Sequence, residues 1–205
     1  TAGSAVVRNT ASMSGVLGLD GCKAGWIGVV LVDEVASAVF GSTADAVVQA
    51  AEAISTIDVI AFDIPIGIPE AGRREADALA RAMLAGRASS VFSTPIRAAL
   101  EATTFADANA ASLALTGKGL SQQSYALRSK ILEIDDYLGR ATIPVIEVHP
   151  EVVFAQMNGM VAVPWSKKTW AGHERRRALL AEQGIVLSGE LGVAGRYAAS
   201  DDMLD

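Results

Sequence analysis

The hydrophobic pattern changes period several times along the chain, and each change marks an element. From Val16 to Leu19 the residues are almost all apolar and stop at Asp20-Gly21; further apolar stretches, Trp26 to Val32 and Val35 to Phe40, follow closely. Connections this short join antiparallel neighbours. Ser42 or Thr43 can then cap a helix running to about Ile54. The next apolar run, Val59 to Phe62, ends at Asp63 and is stopped by Pro65, Gly67 and Pro69; leaving a helical crossover, it is expected to lie parallel to the first strand. Helices are predicted at about 74–84, 105–115 and 122–139, with a Ser/Thr/Pro loop from Ser89 to Pro95. A strand from Pro144 to Val148 precedes a short helix with Pro150 at its first position. Beyond a basic loop holding Lys167 and Lys168, a helix covers about 172–183. Ser200 is expected to cap a final helix whose first turn suits Asp201 and Asp202, and which is cut off at Asp205.

Three antiparallel strands, a helix, a parallel strand, a helical insertion at about 70–140, another strand and closing helices form the order of a ribonuclease H-like fold. The expected class is therefore α/β, a mixed five-stranded sheet with flanking helices and the insertion between strands four and five. A single domain is placed at 15–205. Residues 1–14, small and polar, read as a disordered leader or vector-derived remnant, with Met13 a candidate natural start. No apolar stretch suits a signal peptide or membrane span, so a soluble cytoplasmic protein without a membrane partner is expected.

Composition narrows the chemistry. The 205 residues are 51% apolar but only 5% aromatic, enough for a full core and poor material for a base-stacking platform. Seventeen basic against 23 acidic residues leave a net charge of −6, which disfavours indiscriminate coating of a polyanion. One cysteine and two histidines exclude an intramolecular disulfide and a four-ligand Cys/His zinc site. Any metal must be held by oxygen, and Cys22 reads as packing.

Asp20 and Asp63 each end an apolar strand, where ligands bind in open α/β sheets. Alone, such an Asp is commonly a turn residue. On neighbouring parallel strands the two carboxylates are expected within roughly 6 Å, where a shared cation relieves their repulsion. In Val145-Ile-Glu-Val-His149 strand alternation puts Glu147 and His149 on one face, as a further ligand and a water-orienting, metal-binding or capping group; a solvated edge face is the plainer reading. Asp202 and Asp205, three apart, would share a helical face, either as ligands or as a solvated acidic helix start. Basic residues cluster from Arg73 to Arg97 and from Lys167 to Arg177. Asp77 and Arg81 read as an i,i+4 pair. Arg87-Ala-Ser89-Ser90 suits a phosphate, and Thr116-Gly-Lys118-Gly is a polar glycine loop that is not a P-loop.

Taken together, Gly18-Leu-Asp-Gly-Cys-Lys-Ala-Gly-Trp26, Phe62-Asp-Ile-Pro-Ile-Gly67, Arg74-x-x-Asp77-x-x-x-Arg81, Arg87-x-Ser-Ser-Val-Phe92, Thr116-Gly-x-Gly-x-Ser-x-Gln123, Lys130-Ile-x-Glu133, Glu147-Val-His-Pro-Glu151, Lys167-Lys-Thr and Asp201-Asp-x-Leu-Asp205 resemble domain of unknown function family 429. Its members are described as predicted nucleases with a ribonuclease H-like fold. The resemblance implies a metal-dependent nuclease in which Asp20, Asp63, Asp202 and Asp205 hold two Mg²⁺ or Mn²⁺ ions about 4 Å apart. Glu147 or His149 would assist proton transfer, and Arg87, Ser89, Ser90, Lys118 and Lys168 would contact phosphates of a nucleic-acid or nucleotide substrate. Two rivals stand beside it. A phosphotransferase of the sugar-kinase and actin type shares the Asp-Gly turn but needs two such domains. A non-enzymatic nucleic-acid or nucleotide-binding module would keep the fold and the ion.

Overall fold

Short connections between apolar runs give a meander in the computed structural model, which describes residues 14–187 and 189–205. Strand β1 (Ser14–Cys22) pairs antiparallel with β2 (Gly25–Val32), and β2 with β3 (Val35–Gly41). The β2–β3 connection is two residues, Asp33 and Glu34, with φ of 44° and 67°, the double left-handed geometry that matches strand twist. Gly25 has φ +154°, and a Cβ there would strike the Gly41 carbonyl oxygen; glycine alone lets the two connections approach.

Thr43, with its hydroxyl accepting from the Ala46 N–H, caps α1 (Ala44–Glu52). This helix is the crossover to β4 (Thr56–Phe62), which lies parallel to β1. Five helices follow: α2 (Glu75–Met83), α3 (Arg97–Glu101), α4 (Phe105–Thr116), α5 (Gln122–Ala126) and α6 (Arg128–Leu138). Then β5 (Val145–Glu147) joins parallel to β4, completing the order β3-β2-β1-β4-β5. Helices α7 (Pro150–Met157) and α8 (Trp170–Glu182) follow, and a short 3₁₀ turn, Ala194–Arg196, comes after them. This is the expected α/β class with a mixed sheet and an insertion between the fourth and fifth strands.

Alternation along β1 and β2 sends side chains to two cores. Leu17, Leu19, Trp26 and Val30 pack with α1 and α6 residues such as Val47, Ile131 and Ile134. Ile27 and Cys22 face the other way, against Ala194 and Met203, so Cys22 is buried packing. At ~25 cal/mol per Å² of apolar surface removed from water, burial of each large side chain contributes roughly 1.5–3 kcal/mol.

Several elements differ from expectation. The helix expected at 122–139 is two, because Leu127, at ψ −4°, ends α5 and starts α6 on a new axis. The expected final helix is one turn: the Leu204 and Asp205 N–H groups donate to the Asp201 carbonyl, and Ser200 caps no helix. β5 is shorter than Pro144–Val148, so His149 lies beyond it at the N-terminus of α7, and strand alternation does not govern its direction. Ser14 belongs to β1 rather than to a leader; residues 1–13, Met13 among them, lie outside the described residues. Among the described residues no helix is long and apolar enough to cross a membrane.

Candidate metal centre

The parallel register of β1 and β4 continues one step past Phe62, where the Asp63 N–H donates to the Leu19 carbonyl at 2.9 Å. That step sets Asp20 and Asp63 side by side at the carboxyl ends of adjacent strands. The turn 201–205 brings Asp205 over them, anchored by Met203 in one core and by Leu204 against Phe154, Val163 and Leu179. One carboxylate oxygen from each of Asp20, Asp63 and Asp205 lies within 4.8 Å of the others. Such spacing suits a hard cation coordinated by oxygen. The Asp205 side chain is 1% exposed, and its Oδ1 has no hydrogen-bond partner. A buried, orphaned acceptor beside two more carboxylates fits a metal ion held by oxygen.

The electrostatics are those of crowded acids. Burial, followed by the charges of Asp205 and Asp202, pushes Asp20 up to about 7, while Lys167 and the Gly21 N–H pull the other way. Burial and the Asp20 and Asp205 charges hold Asp63 well above the usual carboxylate range. Burial also raises Asp205, against the attraction of Lys167. Into this cluster comes the Lys167 ammonium, which donates to Asp205 Oδ2 and lies 3.9 Å from Asp201. Burial lowers its proton affinity, but Asp205, Asp20 and Asp201 together outweigh that and keep it charged.

The other expected ligands are placed differently. Asp202 stands beside the three carboxylates but spends Oδ2 on the Ala199 N–H at 3.0 Å. Glu147 is held by Arg74, whose Nη2 donates to both its oxygens at 2.6 Å, and by the Ile66 N–H at 2.8 Å. It faces Asp63 electrostatically and sits at the rim. His149, with burial lowering its pKa, has an unpartnered buried Nδ1. A cavity of about 40 Å³ lies between Asp63, Glu147 and His149.

Among the described residues no hydrogen bond or ion pair joins the expected phosphate contacts to the three carboxylates. Arg87 donates to the Val163 and Pro164 carbonyls, at 3.4 and 3.2 Å, so its guanidinium braces a loop. Ser89 is exposed on a 3₁₀ turn, Ala88–Ser90, and the Ser90 hydroxyl donates to the Arg87 carbonyl. Ser90 reaches the rim through a backbone hydrogen bond with His149. Lys118 lines a separate cavity, and Lys168 is exposed. Arg176 is not a phosphate contact but a buried partner of Glu151. Nor do Asp77 and Arg81 pair: Asp77 accepts from the Thr94 N–H and hydroxyl, and Arg81 donates to the Val91 carbonyl and Ser93 Oγ. Both serve to fix residues 91–94.

Lys167 is what sequence reasoning missed as a member of the centre. Nothing in Lys167-Lys168-Thr169 separates the two lysines; Thr169 caps α8, and only the tertiary packing of that helix turns Lys167 inward. Lys130 and Glu133 prove structural. Glu133 accepts from Trp26 Nε1 and the Ala44 N–H, while Lys130 Nζ donates to the Gly25 carbonyl at 2.6 Å over the Trp26 ring.

No curated protein and no solved structure matched the chain. The family described as Protein of unknown function (DUF429) matches residues 18–205, a span that includes all three carboxylates, and the chain belongs to that family.

Proposed function

We propose that the protein is a divalent-cation-dependent phosphodiesterase acting on a nucleic acid or nucleotide. One observation carries the reading: three carboxylates from two strand ends and a docked turn meet within 4.8 Å, with Asp205 Oδ1 buried and unpartnered. A fold without chemistry to perform has no use for that repulsion.

Asp20, Asp63 and Asp205 hold Mg²⁺ or Mn²⁺, which when bound supplies Lewis-acid polarisation of a phosphoryl oxygen and activation of water. Lys167 is a single ammonium among Asp20, Asp63, Asp205 and the neighbouring Asp201 and Asp202, so the centre keeps an excess of carboxylates that a divalent ion offsets. A second ion requires Lys167 to move aside. In place, Lys167 offers its remaining N–H donors to a phosphoryl oxygen as charge develops there. The cavity between Asp63 and His149 has room for a water. Burial keeps the His149 imidazole neutral near pH 7, so the ring lining that cavity accepts a proton from the water. Arg74 fixes Glu147, which lines the same cavity.

The ammonium within the cluster favours a second reading, in which Lys167 closes the acids permanently and the domain binds rather than cleaves. Cleavage of labelled DNA, RNA and branched substrates in Mn²⁺ or Mg²⁺ separates the two. Wild type is expected to cleave one class, and Asp20→Asn to lose at least ~100-fold, since even residues one shell out from a metal cost 10–100-fold. Equal cleavage by both proteins overturns the site. No cleavage by either, with no thermal shift on adding Mn²⁺, favours the binding module.

A further inference from the structure

A cavity of about 270 Å³ shares lining residues with the small one that contains Asp63 and His149, and its charge is opposite to that of the chain. Arg73 and Lys118 line it, and among the described residues no Asp or Glu does and neither cation has an ion-pair partner, in a protein whose net charge is −6. Of the ten other described arginines six meet carboxylates: Arg74, Arg97, Arg140, Arg175, Arg176 and Arg177. Two unneutralised cations sharing one concavity imply an anionic occupant.

The walls are built rather than incidental. Thr94, Ser112 and Ser124 line the cavity and are more than nine-tenths buried. Asp77 pins Thr94, and the Ser112 hydroxyl donates to the Lys118 carbonyl at 2.8 Å, so the loop that presents Lys118 has a fixed shape. Ser93 Oγ accepts from Arg81 Nη2, which leaves the hydroxyl proton free to donate. The Ser121 and Ser124 hydroxyls share one bond at 2.8 Å, so one of their two protons is also free. Guanidinium, ammonium and hydroxyl donors together are the recognition set of a phosphate. Phe92 and Thr94 line both this cavity and the small one that contains Asp63 and His149, so the two spaces share a wall.

We propose that the Arg73–Lys118 cavity is a phosphate-binding subsite that seats a phosphate of the substrate next to the acidic centre. The inference deepens the phosphodiesterase reading, since it names a group the substrate must carry beyond the reacting one. The volume sits below that of drug-sized ligand pockets and admits a phosphate with part of its sugar rather than a duplex. That phosphate has two possible sources, a free nucleotide or the backbone of a single strand.

The test is calorimetric, in EDTA, so that failure of the metal centre does not affect it. Wild type, Arg73→Ala, Lys118→Gln, the double variant and a surface control, Arg177→Ala, are titrated with inorganic phosphate, a 5′-mononucleotide and a single-stranded 10-mer. Tight mononucleotide binding that phosphate competes away identifies the free nucleotide; binding by the 10-mer alone identifies the strand. In either case each single variant is expected to weaken binding about 10-fold and the double variant to abolish it, with Arg177→Ala unchanged. Both cations are exposed, so melting temperatures should stay within a few degrees. Binding by the double variant within twofold of wild type, or no binding of any of the three probes, overturns the proposal.

Discussion

Two of the protein's buried charge clusters are built in opposite ways. Between α7 and α8, Glu151 meets Arg176, which has no exposed surface; its Nη2 donates to both carboxylate oxygens at 2.7 Å and its Nη1 to the Gly172 and Trp165 carbonyls. The guanidinium lies 5.5 Å from the centre of the Phe154 ring, and only Nε lacks a partner. Charge there balances one to one. At the sheet edge three carboxylates share one ammonium, and Asp205 Oδ1 has nothing. Buried charge is therefore no sign of function by itself. Imbalance is the sign, because desolvated like charges are costly and folding alone would remove them.

The sharpest way to break this contrast is to unbalance the balanced cluster. Arg176→Met strands Glu151 in the interior and is expected to cost about 3–5 kcal/mol in urea unfolding, whereas Arg176→Met with Glu151→Leu should recover most of that. If the single variant loses under 1 kcal/mol, the pair is not the neutral brace described above.

Next in size is the pH response of the unbalanced cluster. Asp20 titrates near 7 when folded and near 3.8 when unfolded, so between those values the folded state holds a proton that the unfolded state has released. Without metal, stability should be greatest at about pH 4–5 and fall by about 2–3 kcal/mol as pH rises to 7.5. Asp20→Asn should flatten that slope, and Mn²⁺ should restore stability at the alkaline end. A metal-free profile that rises across this window would contradict the repulsion argument.

The smallest expected effect comes from the lone counter-ion. Lys167→Met should destabilise the metal-free protein by about 1 kcal/mol at pH 7.5, yet tighten Mn²⁺ binding about 10-fold by removing a competing cation. Titration calorimetry reads both the affinity and the number of ions. Unchanged affinity would mean that Lys167 and the metal do not share the space.

Much of the balanced and unbalanced chemistry differs in how it reads along the chain. The apolar runs before Asp20 and Asp63 mark both residues, since a strand that ends in a carboxylate and a Gly- or Pro-rich turn is a local signal. Asp205 was legible as one of an acidic pair, but its separation from Asp202 depends on which of them the single turn aims inward. Lys167, Arg74 and Arg176 were legible only as positive charge. Their Asp205, Glu147 and Glu151 partners are 38, 73 and 25 residues away, and no periodicity connects residues across such distances; only the Arg74–Asp77 contact, at i,i+3, has a local spacing. The short α3 and the break at Leu127 escaped for a related reason, being imposed by packing within the insertion rather than by caps. The cavity carrying Arg73 and Lys118 joins residues from three segments, and the basic character of each gave no hint that they share a space.

The turn 201–205 has a consequence for how the protein fluctuates. Two N–H hydrogen bonds to the Asp201 carbonyl, two inserted side chains, Met203 and Leu204, and the bonds of Asp205 to Lys167 and of Asp202 to the Ala199 N–H hold it down. Any local opening that lifts the turn exposes the amides of Leu204 and Asp205 to hydrogen exchange, and in the same motion withdraws Asp205 from the other carboxylates and frees Lys167. Ligand-set integrity and amide protection in this turn are thus a single equilibrium. An ion held by all three carboxylates binds only the closed form, and so acts as a clasp between the core beneath β2 and the one against α7 and α8.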